Sequence, residues 1–271
     1  MKRVILCADD YGQKDSISQA VVSLVCKNRL SAVSCMVTQP HWQEHGRALL
    51  PHTGKVDVGL HFNLTHGTGV SVGKLLLKSM LRLTDPKWVQ AECLAQMDAF
   101  TAVMGGLPDF IDGHQHIQHF PVVREVLLGV CRDRLAESGC YVRAIHDPDF
   151  WQRKGVRFKR LVLALSGTSA FKKRLVAENI PHNASFSGIY PFDRAEGYGK
   201  YFQGFLEEIT DGGLILCHPG ERDGDVGDPL AASRPQELAF LSGPDFPEQC
   251  ARMGVRLSRF RETARESYPV A

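Results

Sequence analysis

The chain has 271 residues, 44% of them hydrophobic, which is enough to bury a large core, and a single domain over residues 1–271 is expected. Its 32 basic and 30 acidic residues leave a formal charge of +2, so nothing in the overall balance calls for a nucleic-acid partner or a membrane surface. No apolar run approaches the roughly 20 residues of a membrane span, and the eight cysteines form no C-x-x-C pair.

The start, "MKRVILCADD", turns acidic after five apolar residues, unlike a secretory leader. Buried thiols in a reducing, cytoplasmic setting are therefore expected rather than a disulfide framework.

In chain order, short apolar runs alternate with helix-length amphipathic segments. "VILCA" precedes a helix over 15–28, "AVSCMVT" (32–38) a segment around 41–50, and "VDVGLHFNL" (56–64) a polar insertion followed by a helix over 87–104. Next come "FIDGHQH" (110–116) with 121–138, "YVRAI" (141–145) with 156–178, "SFSG" (185–188) with 194–210, and "GLILCHPG" (213–220). Ser233 reads as the N-cap of a helix in "SRPQELAFL", with Gln236 as its capping-box partner. "VRLSRF" (255–260) could close the sheet, and the tail beyond Phe260 reads as a short helix or a frayed end.

Strands alternating with helices predict right-handed βαβ units and a mostly parallel sheet. The expected class is α/β, an irregular (β/α) TIM-like barrel. Two stretches, 65–86 and 220–233, fit no element, and both follow a strand. In a barrel both would lie over the C-terminal mouth, where such folds keep their chemistry.

Four strands end in chemistry-bearing residues: Asp9 and Asp10, His61, His114 and His116, and His218. Taken singly, each has an ordinary reading, as a turn residue, a helix N-cap or a packed histidine. Together, at one mouth, they point to a site. The pleat in "IDGHQH" would place Asp112, His114 and His116 on one face, and one carboxylate with two imidazoles is a common shell for a divalent cation. Asp9 and Asp10 would repel in a desolvated pocket unless a cation reversed the balance. Gly12 permits a turn that lets both reach the mouth, one as a ligand and the other accepting a proton.

At "ADDYG" (8–12), "VGLHFNLTHG" (58–67), "DGHQHIQHFP" (112–121) and "CHPG" (217–220) the sequence resembles the YdjC-like carbohydrate deacetylase family. The resemblance implies an irregular (β/α) barrel and metal-dependent removal of acetyl groups from N-acetylated sugars, with one magnesium or zinc ion. It makes Asp10, His61 and His114 the metal ligands, Asp9 the general base, His218 the second catalytic group and His116 a nearby site residue. It also implies a homodimer. One departure from D-x-H-x-H-x-H is Gln118, followed by His119.

For an oligosaccharide or small-molecule substrate, Asn63, Thr65 and Asp112 are candidate contacts. Tyr11, Trp42, Trp88 and Trp151 are candidate stacking surfaces. The expected reaction is attack of activated water on an acetamide, with protonated His218 serving the leaving amine. Other readings of the same residue types are a metal phosphoesterase, a ferrous oxygenase, which the strand-helix alternation disfavours, and an inactive sugar-binding barrel.

Overall fold

A computed structural model of the chain describes residues 1–136, 138–145, 166–192, 197–224 and 227–263. Among them run β1 (Lys2–Tyr11), β2 (Ala32–Cys35), β3 (Asp57–Phe62), β4 (Phe110–Gly113), β5 (Tyr141–Val142), β6 (Phe186–Ser187), β7 (Gly213–Cys217) and β8 (Val255–Leu257). All their pairings are parallel, in the order β5-β4-β3-β2-β1-β7-β6. Helices connect them, as parallel strands require: α1 (Asp15–Cys26), α2 (Trp42–Leu49), α3 (Val72–Met80), α4 (Pro86–Met104), α5 (Val123–Val130), α6 (Thr168–Ala177), α7 (Tyr198–Glu208), α8 (Arg234–Ser242), α9 (Asp245–Arg252) and α10 (Phe260–Thr263).

The sheet curls until its two ends meet through one bridge and one side chain. Val142 N donates to Pro181 O, and Val142 bridges His182. The Asn183 amide then accepts from Ala144 N at 2.8 Å and donates to Ala144 O at 2.9 Å, doing for two backbone groups what a longer ladder would do. β8 does not take part in this closure. It pairs with Lys2–Val4 of β1, which corrects the expectation that the last apolar run closes the sheet.

Period-two alternation explains the burial of both faces of β1. Val4, Leu6 and Ala8 join the large cluster that includes the helix side chains, whereas Ile5 and Cys7 pack inside the barrel with Phe110, Tyr141, Leu214 and Leu216. Such double burial is what a continuous apolar run signals. Asp9 is the next residue on the inner row.

α4 begins at Pro86 behind Asp85, whose carboxylate accepts from Lys87 N, and it stops at Gly105 in the left-handed region. Three sequence expectations need correction. The stretch 65–86 contains helix α3, which an N-cap bond from Lys74 N to Ser71 Oγ starts. Ser233 does precede α8, but its backbone is already helical and its hydroxyl donates back to Leu230 O, so no capping box forms. β4 ends at Gly113, and His114–His119 form a kinked turn with Gln115 and His116 at positive φ.

That turn folds back so closely that a Cβ on Gly113 would lie 2.7 Å from Gln118 Oε1. The period of two therefore stops before His114, and the predicted common face of Asp112, His114 and His116 does not exist. Seven cysteines are buried and Cys26 is exposed. Among the described residues no helix is long and apolar enough to cross a membrane. Trp151 and the first part of the helix expected over 156–178, residues 156–165, lie outside the described residues, as does the tail from 264 onward; the remainder of that helix is α6.

Candidate active site

Asp9 and Asp10 reach the same mouth because β1 is irregular at its end. Its register against β2 shifts between Ala8 and Tyr11, and Asp10 itself adopts φ +65°, a conformation Asp tolerates better than most residues. Gly12 follows at φ +90°. The carboxylate that alternation would have sent toward the helices thus turns over the barrel end.

Three donors from three strand ends meet there. Asp10 Oδ1 lies 3.1 Å from His114 Nδ1 and 3.4 Å from His61 Nε2, and the two nitrogens are 3.3 Å apart. Donors about 2.1 Å from a shared tetrahedral centre would be separated by about 3.4 Å. Asp10 and His61 are nearly inaccessible. The donor set, one carboxylate oxygen and two imidazole nitrogens, fits a divalent cation.

The other ends of these ligands are held as well. His61 Nδ1 is 2.6 Å from Asp112 Oδ1, which also accepts from Ser34 Oγ at 2.6 Å. Asp10 Oδ2 accepts from Arg234, whose Nε donates to Asp228. Burial alone would push the Asp10 carboxyl up, but Arg234 and the two histidines hold it well below the usual carboxylate range. Burial would likewise lower His61, yet Asp112 and Asp10 raise it to about 10.

Asp9 has a separate partner. The Arg143 guanidinium, fully buried, donates to both Asp9 oxygens at 2.6 Å and also reaches Cys7 Sγ at 3.0 Å and Asp112 Oδ2 at 2.5 Å. Cys7, Asp9 and Asp112 could by themselves hold a metal ion, but this guanidinium already supplies their positive charge. Burial would raise Asp112, and Arg143 and His61 overcome it.

His218 faces this pair from the end of β7, with Nε2 4.0 Å from Asp9 Oδ2 and its ring edge-on to Phe192. Glu237 accepts from His218 N at 2.6 Å and from the Tyr190 hydroxyl at 2.7 Å, fixing the backbone that carries the imidazole. Burial lowers the imidazole to about 4 despite Asp10 and Asp9, so the ring is neutral near pH 7.

His116 approaches from the 114–119 turn, half-buried and edge-on to Phe186. Burial and Arg143 keep it neutral. His119 is fully buried under the turn, its Nδ1 3.2 Å from His116 O and its Nε2 accepting from Ile145 N. Gln118 is also fully buried.

Several expected substrate contacts are used up inside the protein. Tyr11 is inaccessible and donates its hydroxyl to His45 O at 2.6 Å. The Asn63 amide shapes its own turn, accepting from Thr65 N and His66 N and donating to His66 O and Thr38 Oγ1. Asp112 lies behind His61 with no exposure. Thr65 is buried, Trp42 donates to Ala99 O, and Trp88 packs against the core. His66, outside the predicted set, stands at the mouth with its ring 6.0 Å from that of His114.

A model of YdjC-like proteins matches residues 3–252. The chain belongs to that family. Relatives include a human carbohydrate deacetylase, 26% identical with 94% of this chain and 89% of that protein covered, and a chitooligosaccharide deacetylase of Klebsiella pneumoniae, 24% identical with 97% and 100% covered. A solved structure from Enterococcus faecalis V583, of a candidate cellobiose-phosphate cleavage protein, superposes with a TM-score of 0.70 at 16% identity. It covers 96% of this chain and 98% of its own, and at that identity it speaks for the fold.

Arg143, Arg234, Asp228, Ser34 and Glu237 escaped the sequence reading. One signal was available: an arginine inside the apolar run "YVRAI" demands a buried anion. Arg234 and Asp228 carry no such mark, because their segment looks like any polar loop.

Proposed function

We propose that this member of the YdjC-like family is a carbohydrate deacetylase that removes N-acetyl groups from amino sugars with the help of one divalent cation. The observation that carries the reading is the convergence of Asp10, His61 and His114 beside a second carboxylate, Asp9, that has its own counter-ion. The names of the full-length relatives support the substrate class. Two imidazoles in the donor set favour a zinc-type ion over magnesium, which prefers oxygen.

A cation held by Asp10, His61 and His114 supplies positive charge for the carbonyl oxygen and acidifies nearby water. Arg143 fixes the plane of Asp9 while the carboxylate accepts a proton from the attacking water. Hydroxide adds to the acetamide carbonyl. His218, neutral at rest, takes the proton from the Asp9 side through Nε2 and delivers it to the nitrogen as the C–N bond breaks. Acetic acid and a free amine leave, one water proton having become the amine proton, and the acid gives its remaining proton to solvent as acetate. Asp112 serves by orienting His61 rather than by touching the sugar, and His116 and His66 are the histidines placed to meet it.

Acetate release from a series of N-acetylglucosamine oligomers, measured before and after chelation and on adding back single metals, tests the reading. Chelator-sensitive release supports it. No release from any oligomer with any of the metals sinks it.

A further inference from the structure

The near-neutral charge of the whole chain conceals a local imbalance. From Val58 through Thr84 the sequence holds no Asp or Glu, and it carries Lys74, Lys78 and Arg82. The same stretch exposes large apolar side chains: Leu77 is 61% accessible, Met80 47%, Leu81 60% and Leu83 67%. Four of the seven exposed large apolar residues found among the described residues thus fall within one short segment.

The helix geometry sorts them. At about 100° per residue, Met80, Leu77, Leu81, Lys74 and Lys78 follow one another round an arc of about 160°. Leu75 and Ser79, on the opposite side, are buried. The outer face of α3 is therefore apolar at its centre and basic at one flank, with Arg82 and Leu83 continuing it past the last turn. None of the three basic side chains has an ion-pair partner among the described residues.

We propose that α3 and the 81–83 turn dock this protein on an anionic lipid surface. Leucine and methionine side chains ringed by lysine and arginine suit the boundary between headgroups and acyl chains. A twofold contact with a second copy would set this face against itself and bring like charges together. The helix follows the 63–66 turn and packs beside the 114–119 turn, so docking keeps the barrel mouth next to the bilayer. This inference concerns location and does not depend on which reaction the mouth carries out.

The test is co-sedimentation of the full chain with vesicles of phosphatidylcholine alone or mixed with phosphatidylglycerol. Wild-type protein should pellet with the mixed vesicles at low salt and be released as salt is raised. The triple variant Lys74→Gln, Lys78→Gln, Arg82→Gln should bind about 100-fold more weakly, at roughly fivefold per basic residue. Leu77→Asn with Leu81→Asn should also lose binding, while circular dichroism and thermal unfolding match wild type.

Wild-type protein that stays in the supernatant with mixed vesicles would overturn the proposal. So would vesicle binding that neither variant weakens. Loss of a dimer in the leucine variant, without vesicle binding by wild type, would reassign the face to self-association. Retention on an immobilised acidic polypeptide, again without vesicle binding, would reassign it to a protein partner. Because pelleting is read without turnover, failure of the deacetylase reading would leave this result standing, and the reverse also holds.

Discussion

Asp112 Oδ1 sits 2.6 Å from Nδ1 of His61 and so decides which imidazole nitrogen faces Asp10 and His114. A carboxylate on the far nitrogen fixes ring orientation and raises ligand basicity. Asp112→Asn should therefore weaken metal binding about 10- to 100-fold in chelator competition, although the substituted side chain lies behind His61 and never touches the ion. Unchanged affinity would mean that packing alone orients His61.

Arg143 neutralises two buried carboxylates, Asp9 from across the barrel and Asp112 from the neighbouring strand. Arg143→Met should destabilise the fold by about 3–5 kcal/mol in urea unfolding, because it strands Asp9 and Asp112 as uncompensated buried charges. The double variant with Asp9→Asn should recover part of that loss. A double variant no more stable than Arg143→Met would show that the guanidinium stabilises by packing rather than by charge.

Asp9 and His61 should separate by readout. His61→Ala is expected to lose both metal and acetate release, since it removes a donor. Asp9→Asn should keep the metal and lose about 10²–10⁴ in turnover, the usual range for a proton-transfer group. Wild-type turnover in metal-loaded Asp9→Asn would remove Asp9 from the base role.

His119 gives the stability a pH dependence of known sign. Burial lowers its imidazole to about 3, so the native state keeps it neutral where an unfolded chain, with a value near 6.5, takes up a proton. Its contribution is complete above about pH 6.5 and is lost as pH falls toward 3, at up to about 1.4 kcal/mol per pH unit. Urea unfolding at pH 7 and pH 5 should show a smaller difference for His119→Gln than for wild type. Equal differences would show that other groups carry the pH dependence.

The alternation of strands and helices, and the grouping of Asp10, His61 and His114 at one end of the sheet, were legible in the chain. Short apolar runs alternating with helix-length amphipathic segments read as strands of a covered parallel sheet, whose C-terminal ends open on one side. That is why "VILCADD", "GLHFN" and "FIDGH" can be grouped from the chain alone. Periodicity failed at Gly113, where a close backbone approach and two positive-φ residues abolished the alternation on which the Asp112, His114 and His116 face rested.

What stands behind the trio comes together only on folding. Arg143 lies more than a hundred residues from Asp9 and Arg234 more than two hundred from Asp10, and the irregularity that turns Asp10 over the barrel end depends on register against β2. Charge pairing across a barrel leaves no periodic trace along the chain. Asn63 and Tyr11 illustrate the same limit: a polar residue beside a site motif faces the substrate or the protein according to neighbours that only folding brings.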